Sequence, residues 1–189
     1  MGGPLKTEAK NRAHSRRNGV SMALVLGLVT WAGALQPAMA QKRDGNTPSG
    51  FEVPRWVVLK FNEINVRKGP GSDYDVAFTY REGKNLPVVV VGETHEWRRI
   101  CDHQGAVGWV KRNAVDTKRY GLRLGGGDLK ILKKPKADAG TVAILPQGAL
   151  AQIDDCEEGW CQLKGDGVRG FVPANSIWGG AEPPRCPRP

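Results

Sequence analysis

INVRKGPGSDYDV, residues 64–76, sets Arg67 and Lys68 against a Gly-Pro-Gly bend and then places Tyr74 between Asp73 and Asp75. Glycine loops beside basic side chains can cradle phosphate, so the stretch has two readings. A phosphate loop needs G-x-x-x-x-G-K-[ST] between a strand and a helix, and a dinucleotide loop needs G-x-G-x-x-G at the start of a helix. Here Lys68 precedes Gly69, Tyr74 stands where the third glycine belongs, and no helical period follows. The stretch reads instead as a sharp connection between strands. Pro70 fixes φ, while Gly69 and Gly71 are free to take positive φ. This reading brings Tyr74 and Asp75 to the surface and has Arg67 pair with an acid or line a groove.

Working outward, the chain repeats itself. Pro70 is followed by Gly83, Trp97, Gly108-Trp109-Val110, Asn113 and Val115. Pro135 is followed, at nearly the same intervals, by Gly148, Trp160, Gly170-Phe171-Val172, Asn175 and Ile177. Matching intervals over several landmarks mean one supersecondary unit written twice. Each copy is a series of short β-branched runs with glycine-bearing turns, as in Leu86–Val91 and then Asp102-His103-Gln104-Gly105, and no 3.6-residue period is sustained. The expectation is an all-β chain of two tandem small barrels, with Asn113 and Asn175 each in a single closing helical turn. Trp97 and Trp160 are expected in the cores, since units this small need every large apolar side chain. Trp109 and Phe171, at equivalent points of the last strand, are the better candidates to face a ligand.

The frame around the repeat is an exported one. Lys6, Lys10, Arg12, Arg16 and Arg17 precede an apolar run from Val20 to Leu35, and Ala38-Met39-Ala40 closes it. That is the order of a signal peptide cleaved after Ala40, and the run is short of the ~20 residues that span a bilayer. Ser15-Arg16-Arg17 only hints at twin-arginine export. The resulting organisation is leader 1–40, polar linker 41–54, first copy 55–116, linker 117–127, second copy 128–180 and Pro-rich tail 181–189. No membrane span is expected after cleavage. The leader carries +4 of the net +9, and residues 117–127 supply +3 of the remainder. A nucleic-acid partner, which calls for concentrated positive charge on the folded surface, is not expected.

All four cysteines lie after the leader, where disulfides persist. Cys156 and Cys161 flank a short hairpin and are candidates to meet across it, which leaves Cys101 with Cys186, or two free buried thiols. No C-x-x-C occurs and only His95 and His103 remain after the leader, so no metal site and no cofactor are expected. For catalysis, a nucleophile needs a positioned base. Cys101-Asp102-His103 is the best candidate, but neighbours on a strand end point in different directions. No catalytic residue is assigned, and an enzyme is not expected.

Asn65-Val66-Arg67-Lys68-Gly69-Pro70-Gly71, Tyr74, Trp97-Arg98-Arg99-Ile100 and Gly108-Trp109-Val110 together give residues 55–115 a family likeness. The first copy resembles the bacterial Src-homology-3-like domain, especially its small periplasmic branch found as a tandem pair behind a signal peptide. The second copy is degenerate, with Ile131-Leu132-Lys133-Lys134-Pro135 in place of the loop motif. The resemblance implies a five-to-six-stranded barrel that binds rather than catalyses, with peptidoglycan or a wall-derived peptide as ligand. Arg67, Tyr74, Asp75, Tyr80 and Trp109 are the candidate binding residues, and Asp73 and Glu82 could meet amino groups. An adaptor for envelope proteins, its two barrels joined flexibly at Gly125-Gly126-Gly127, is the alternative. A cell-wall peptidase accessory comes third.

Overall fold

The computed structural model describes residues 47–165 and 167–186, so the expected leader lies outside the described residues. Among the described residues thirteen strands run in chain order. In the first copy these are β1 (Arg55–Leu59), β2 (Ile64–Arg67), β3 (Val76–Tyr80), β4 (Pro87–Glu93), β5 (Trp97–Cys101), β6 (Val107–Lys111) and β7 (Val115–Asp116). In the second they are β8 (Tyr120–Leu122), β9 (Leu129–Leu132), β10 (Thr141–Leu145), β11 (Leu150–Glu157), β12 (Trp160–Gly165) and β13 (Val168–Pro173). They form two sheets, ordered β3-β2-β6-β5-β4-β1-β7 and β10-β9-β13-β12-β11-β8. Every pairing is antiparallel. Asn113 and Asn175 each sit in a single 3-10 turn after the last long strand, as expected.

Each sheet rolls around its own apolar cluster. Val57, Ile64, Val66, Val90, Ile100 and Val110 lie at the centre of the first, and Ile131, Ile153, Leu163, Val172 and Ile177 at the centre of the second. Rolling requires the last long strand to come close to the second strand, and one glycine in each copy permits it. A Cβ on Gly108 would strike the Val66 side chain and come within 3.0 Å of the Arg67 carbonyl oxygen. A Cβ on Gly170 would lie 2.6 Å from Ile131 Cγ2 and 2.7 Å from the Leu132 carbonyl oxygen. Close approach is therefore why both copies carry Gly-aromatic-Val.

Of the two tryptophans expected in the cores, Trp97 is buried as expected, beside the central apolar cluster to which Ile100 belongs, and the expectation for Trp160 is corrected. Trp160 is half-buried on the outward face of β12, and Leu163 takes the core position. The Trp160 ring covers the sheet from outside.

The stretch 117–127, read as a linker, contains β8, whose Tyr120, Gly121 and Leu122 pair with Gln152, Ala151 and Leu150. The sheets are thus joined by Thr117–Arg119 alone, and Gly125–Gly127 lies between β8 and β9 inside the second sheet. Both copies belong to one compact unit. Val58, Val89 and Cys101 face outward from the first sheet yet are 1%, 0% and 2% exposed, because the second copy covers them. Trp178 makes that cover. Its indole nitrogen donates to the Pro87 carbonyl at 2.8 Å, and its ring meets Trp56 edge-on at 4.9 Å. Trp56 in turn donates to the Ala181 carbonyl at 2.7 Å, and Cys101 is disulfide-bonded to Cys186 with a Cα–Cα distance of 6.2 Å. The Pro-rich tail is strapped to the first copy up to that cysteine.

One position is closed differently in the two copies. In register, Glu93 faces Arg98 across β4 and β5, and Cys156 faces Cys161 across β11 and β12, each pair just beyond a bulge. The cysteines are bonded. Glu93, 1% exposed, instead receives Arg55 at 2.6 Å, Arg98 at 3.2 Å and the Ser49 amide at 2.8 Å. Residues 47–54, part of the expected linker, are therefore drawn onto β4. Burial would raise the Glu93 pKa, but the Ser49 hydrogen bond and the Arg55 charge outweigh it and bring it down from 4.5 to about 2.

Because the folded carboxylate stays ionised to about pH 2 while the unfolded one protonates near 4.5, its contribution is present above pH 4.5. It is lost as the pH falls toward 2, and amounts to on the order of 3 kcal/mol. Glu93→Gln should lower urea-unfolding stability by about 3–5 kcal/mol at neutral pH, since two buried arginines lose their partner, and should flatten the acid limb between these pH values. Replacing Cys101 and Cys186 together by serine opens a span of 85 residues. The chain-entropy cost is about 4–5 kcal/mol, readable as a fall in the calorimetric midpoint.

Candidate functional site

The loop of residues 68–75 joins β2 to β3 and holds its aromatic by three means. Lys68 N–H donates to the Asp75 carbonyl at 3.0 Å, closing the loop base. Arg67 Nη1 donates to the Tyr74 carbonyl at 2.6 Å, so this arginine takes a main-chain partner in place of the expected acid. The Tyr74 ring lies over the two glycines, and a Cβ on Gly69 would run into it. Neither Gly69 nor Gly71 has positive φ. This corrects the expectation of left-handed glycines: the bend needs small residues so that the ring can seat against its backbone. Seated this way, Tyr74 remains 46% exposed. Asp75 forms an exposed ion pair with Lys68 at 3.1 Å, worth ~0–1 kcal/mol in water.

Trp109 completes the face. Cross-strand register sets it opposite Arg67 on β2 and opposite Arg99 on β5, all three half-buried and outward. Arg67, Tyr74 and Trp109 are therefore brought together, and Arg99, part of the Trp97–Ile100 motif but not among the candidate binding residues, joins them. The signal for Arg99 was its two-residue offset from Trp97 along one strand.

Tyr80 is not part of this face. Its ring packs against the first core and meets Phe78 edge-on at 5.3 Å. Its hydroxyl donates to Asp102 Oδ2 at 2.8 Å, and burial, that bond and the carboxylate charge push its pKa well above the ordinary tyrosine value. Asp102 is 4% exposed and also accepts the amides of Gln104 and Ala106 through Oδ1, both at 2.9 Å. Tyr80 and Asp102 hold the β5–β6 turn. Cys101, first member of the candidate nucleophile cluster, has its sulfur in the disulfide and presents no thiolate. Among the described residues, no group of three or more His, Cys, Asp or Glu is arranged to hold a metal.

The second copy keeps a different feature in the equivalent place. A cleft of about 330 Å³ is floored by Trp160 and Phe171, walled by Pro135 and rimmed by Asp155, Glu157 and Glu158. A hollow of about 540 Å³ shares Trp160 and both glutamates with it.

A model of the bacterial SH3 domain matches residues 60–116 and again 127–179. The chain belongs to the bacterial SH3 domain family. Over 133 residues it is 26% identical to the protein named "Putative N-acetylmuramoyl-L-alanine amidase YrvJ" of Bacillus subtilis strain 168. That match takes in 65% of this chain and 25% of that protein. NlpC2 of Trichomonas vaginalis aligns over 68% of this chain and 49% of its own, with a TM-score of 0.31 and 11% identity. NlpC1 of the same organism aligns over 75% and 50%, with a TM-score of 0.30 and 11% identity. The two disulfides fit an oxidising, extracytoplasmic compartment. No helix among the described residues is long and apolar enough to cross a membrane.

The bonding of Tyr80 makes a definite expectation. Tyr80→Phe should cost about 1–3 kcal/mol, the penalty for removing one hydrogen bond to a buried carboxylate, measured by chemical denaturation. Asp102→Ala, which removes all three bonds, should cost more and raise amide exchange at residues 103–106.

Proposed function

We propose that this is an exported, non-enzymatic binding protein of the cell envelope, periplasmic or secreted, which holds a peptidoglycan-derived peptide or glycopeptide against the first copy. The observation that carries the reading is Tyr74. An aromatic ring held half-exposed on two glycines, with its own carbonyl fixed by Arg67, adds little to the core. It does supply a rigid contact surface at low entropic cost to a ligand. Beside it, Trp109 between Arg67 and Arg99 offers an apolar floor with guanidinium groups suited to the carboxylates of wall peptides. The sulfur of Cys101 being taken up in a disulfide favours binding over thiol catalysis.

An adaptor for envelope proteins is the second reading, and one feature favours it. β10 is an edge strand that exposes Val142 at 41% and Ile144 at 48%, and such edges accept a partner strand.

Sedimentation with purified sacculi across a salt series tests the first reading. Retention should persist at 0.5 M salt, where the Debye length has shrunk to about 4 Å. Tyr74→Ala and Trp109→Ala should each reduce it at least tenfold. Release of the unaltered protein at modest salt would mean charge attraction alone and would sink the proposal.

A further inference from the structure

The second copy has lost the tyrosine loop but not the surface beside it, and there its charge is inverted. Along one row the register sets Asp155 on β11 opposite Gln162 on β12, which faces Phe171 on β13 and then Leu132 on β9. The equivalent row of the first copy reads Gly92, Arg99, Trp109, Arg67. Two arginines flank the aromatic in one copy. In the other, Gln162 and Leu132 flank it, with a carboxylate at the end of the row. The next row sets Glu157 opposite Trp160.

The carboxylates of residues 154–158 are not equally occupied. Asp154 is taken by Lys164 and by Arg169 at 3.3 Å. Asp155 lies in the field of Arg119. The side chains of Glu157 and Glu158 are exposed and, among the described residues, form no ion pair or side-chain hydrogen bond. Lys133 and Lys134 adjoin Pro135 at the far wall without lining the cleft. Two unneutralised carboxylates therefore stand at the lip of a floor made by Trp160 and Phe171. A cation placed there gains twice, from the carboxylates and from the negative faces of the rings. The volume of about 330 Å³ leaves room for one long side chain of a peptide.

We propose that this cleft is a second binding site, and that it takes a primary ammonium group borne by a peptide, with the ammonium at the Glu157–Glu158 end and the aliphatic stem against Trp160. The site goes beyond the reading given for the first copy and does not depend on it.

The test uses the whole protein and two probes that differ by one charge: the capped tripeptide acetyl-Ala-Lys-Ala-amide, and the same peptide acetylated on the lysine side chain. Nitrogen-15 NMR titration should show saturable shifts of the Trp160 indole and the Glu157 and Glu158 amides with the first peptide. Affinity for the acetylated twin should be at least tenfold weaker. Glu157→Gln with Glu158→Gln should weaken the lysine peptide at least fivefold. Glu158 has φ of 48°, a conformation Asn accepts more readily, so Glu158→Asn should lower affinity without lowering the melting temperature, which separates lost binding from lost fold. Equal affinity for the two peptides, or shifts centred on Asp73 and Asp75, would overturn the proposal. The Tyr74→Ala sedimentation result reads the first copy, so either reading can fail while the other stands.

Discussion

Two strand backbones in each copy run closer together than a side chain allows, and the fold depends on that approach. Gly108 against Val66 and Gly170 against Ile131 are the points where β6 meets β2 and β13 meets β9. Each meeting is registered by a single residue pair, Arg67 with Trp109 and Leu132 with Phe171. Without it the sheet would stay open, and the inward residues of β2 or β9 would lose the opposite wall of their core. The constraint also places the site. The residue after the glycine must turn outward, and so Trp109 and Phe171 become floors of surface features.

The two copies close their β-hairpins at one position by unlike chemistry. A buried carboxylate between two arginines closes the first and a disulfide closes the second. The first solution needs the Ser49 amide and Arg55 as well, which ties residues 47–54 to β4 and makes the segment before β1 part of the folded body. The second needs only two neighbouring strands. In the second copy a short covalent bridge stands where the first recruits the Ser49–Arg55 stretch as well as the facing strand.

Much of the fold was legible in the sequence. The β-branched runs, the glycine turns and the twice-written landmarks led to two tandem all-β units with a closing turn at each Asn. β3 and β10 were missed because both are edge strands whose first residues, Val76-Ala77 and Thr141-Val142, are exposed and carry no clear alternation. β8 was missed because Tyr120-Gly121-Leu122 sits in a basic, glycine-rich stretch and is a strand only through its pairing with β11. The misplacement of Trp160 was avoidable. It lies three residues from the inward Leu163, and a strand of period two cannot turn both inward. Of the site, Tyr74, Arg67 and Trp109 could be read from the motif, whereas Tyr80 could not be told from a surface aromatic without its distant partner Asp102. The acidic cleft is made by cross-strand register, which local sequence does not encode.

Only three residues separate β7 from β8, and Trp178, Trp56 and the Cys101–Cys186 bridge bind the copies on either side. The tandem is therefore not a pair of beads on a string. For a flexible pair, simultaneous engagement is governed by how often a linker happens to span the gap. Here that distance is built in, set by the packing of one copy on the other and not by the reach of a linker.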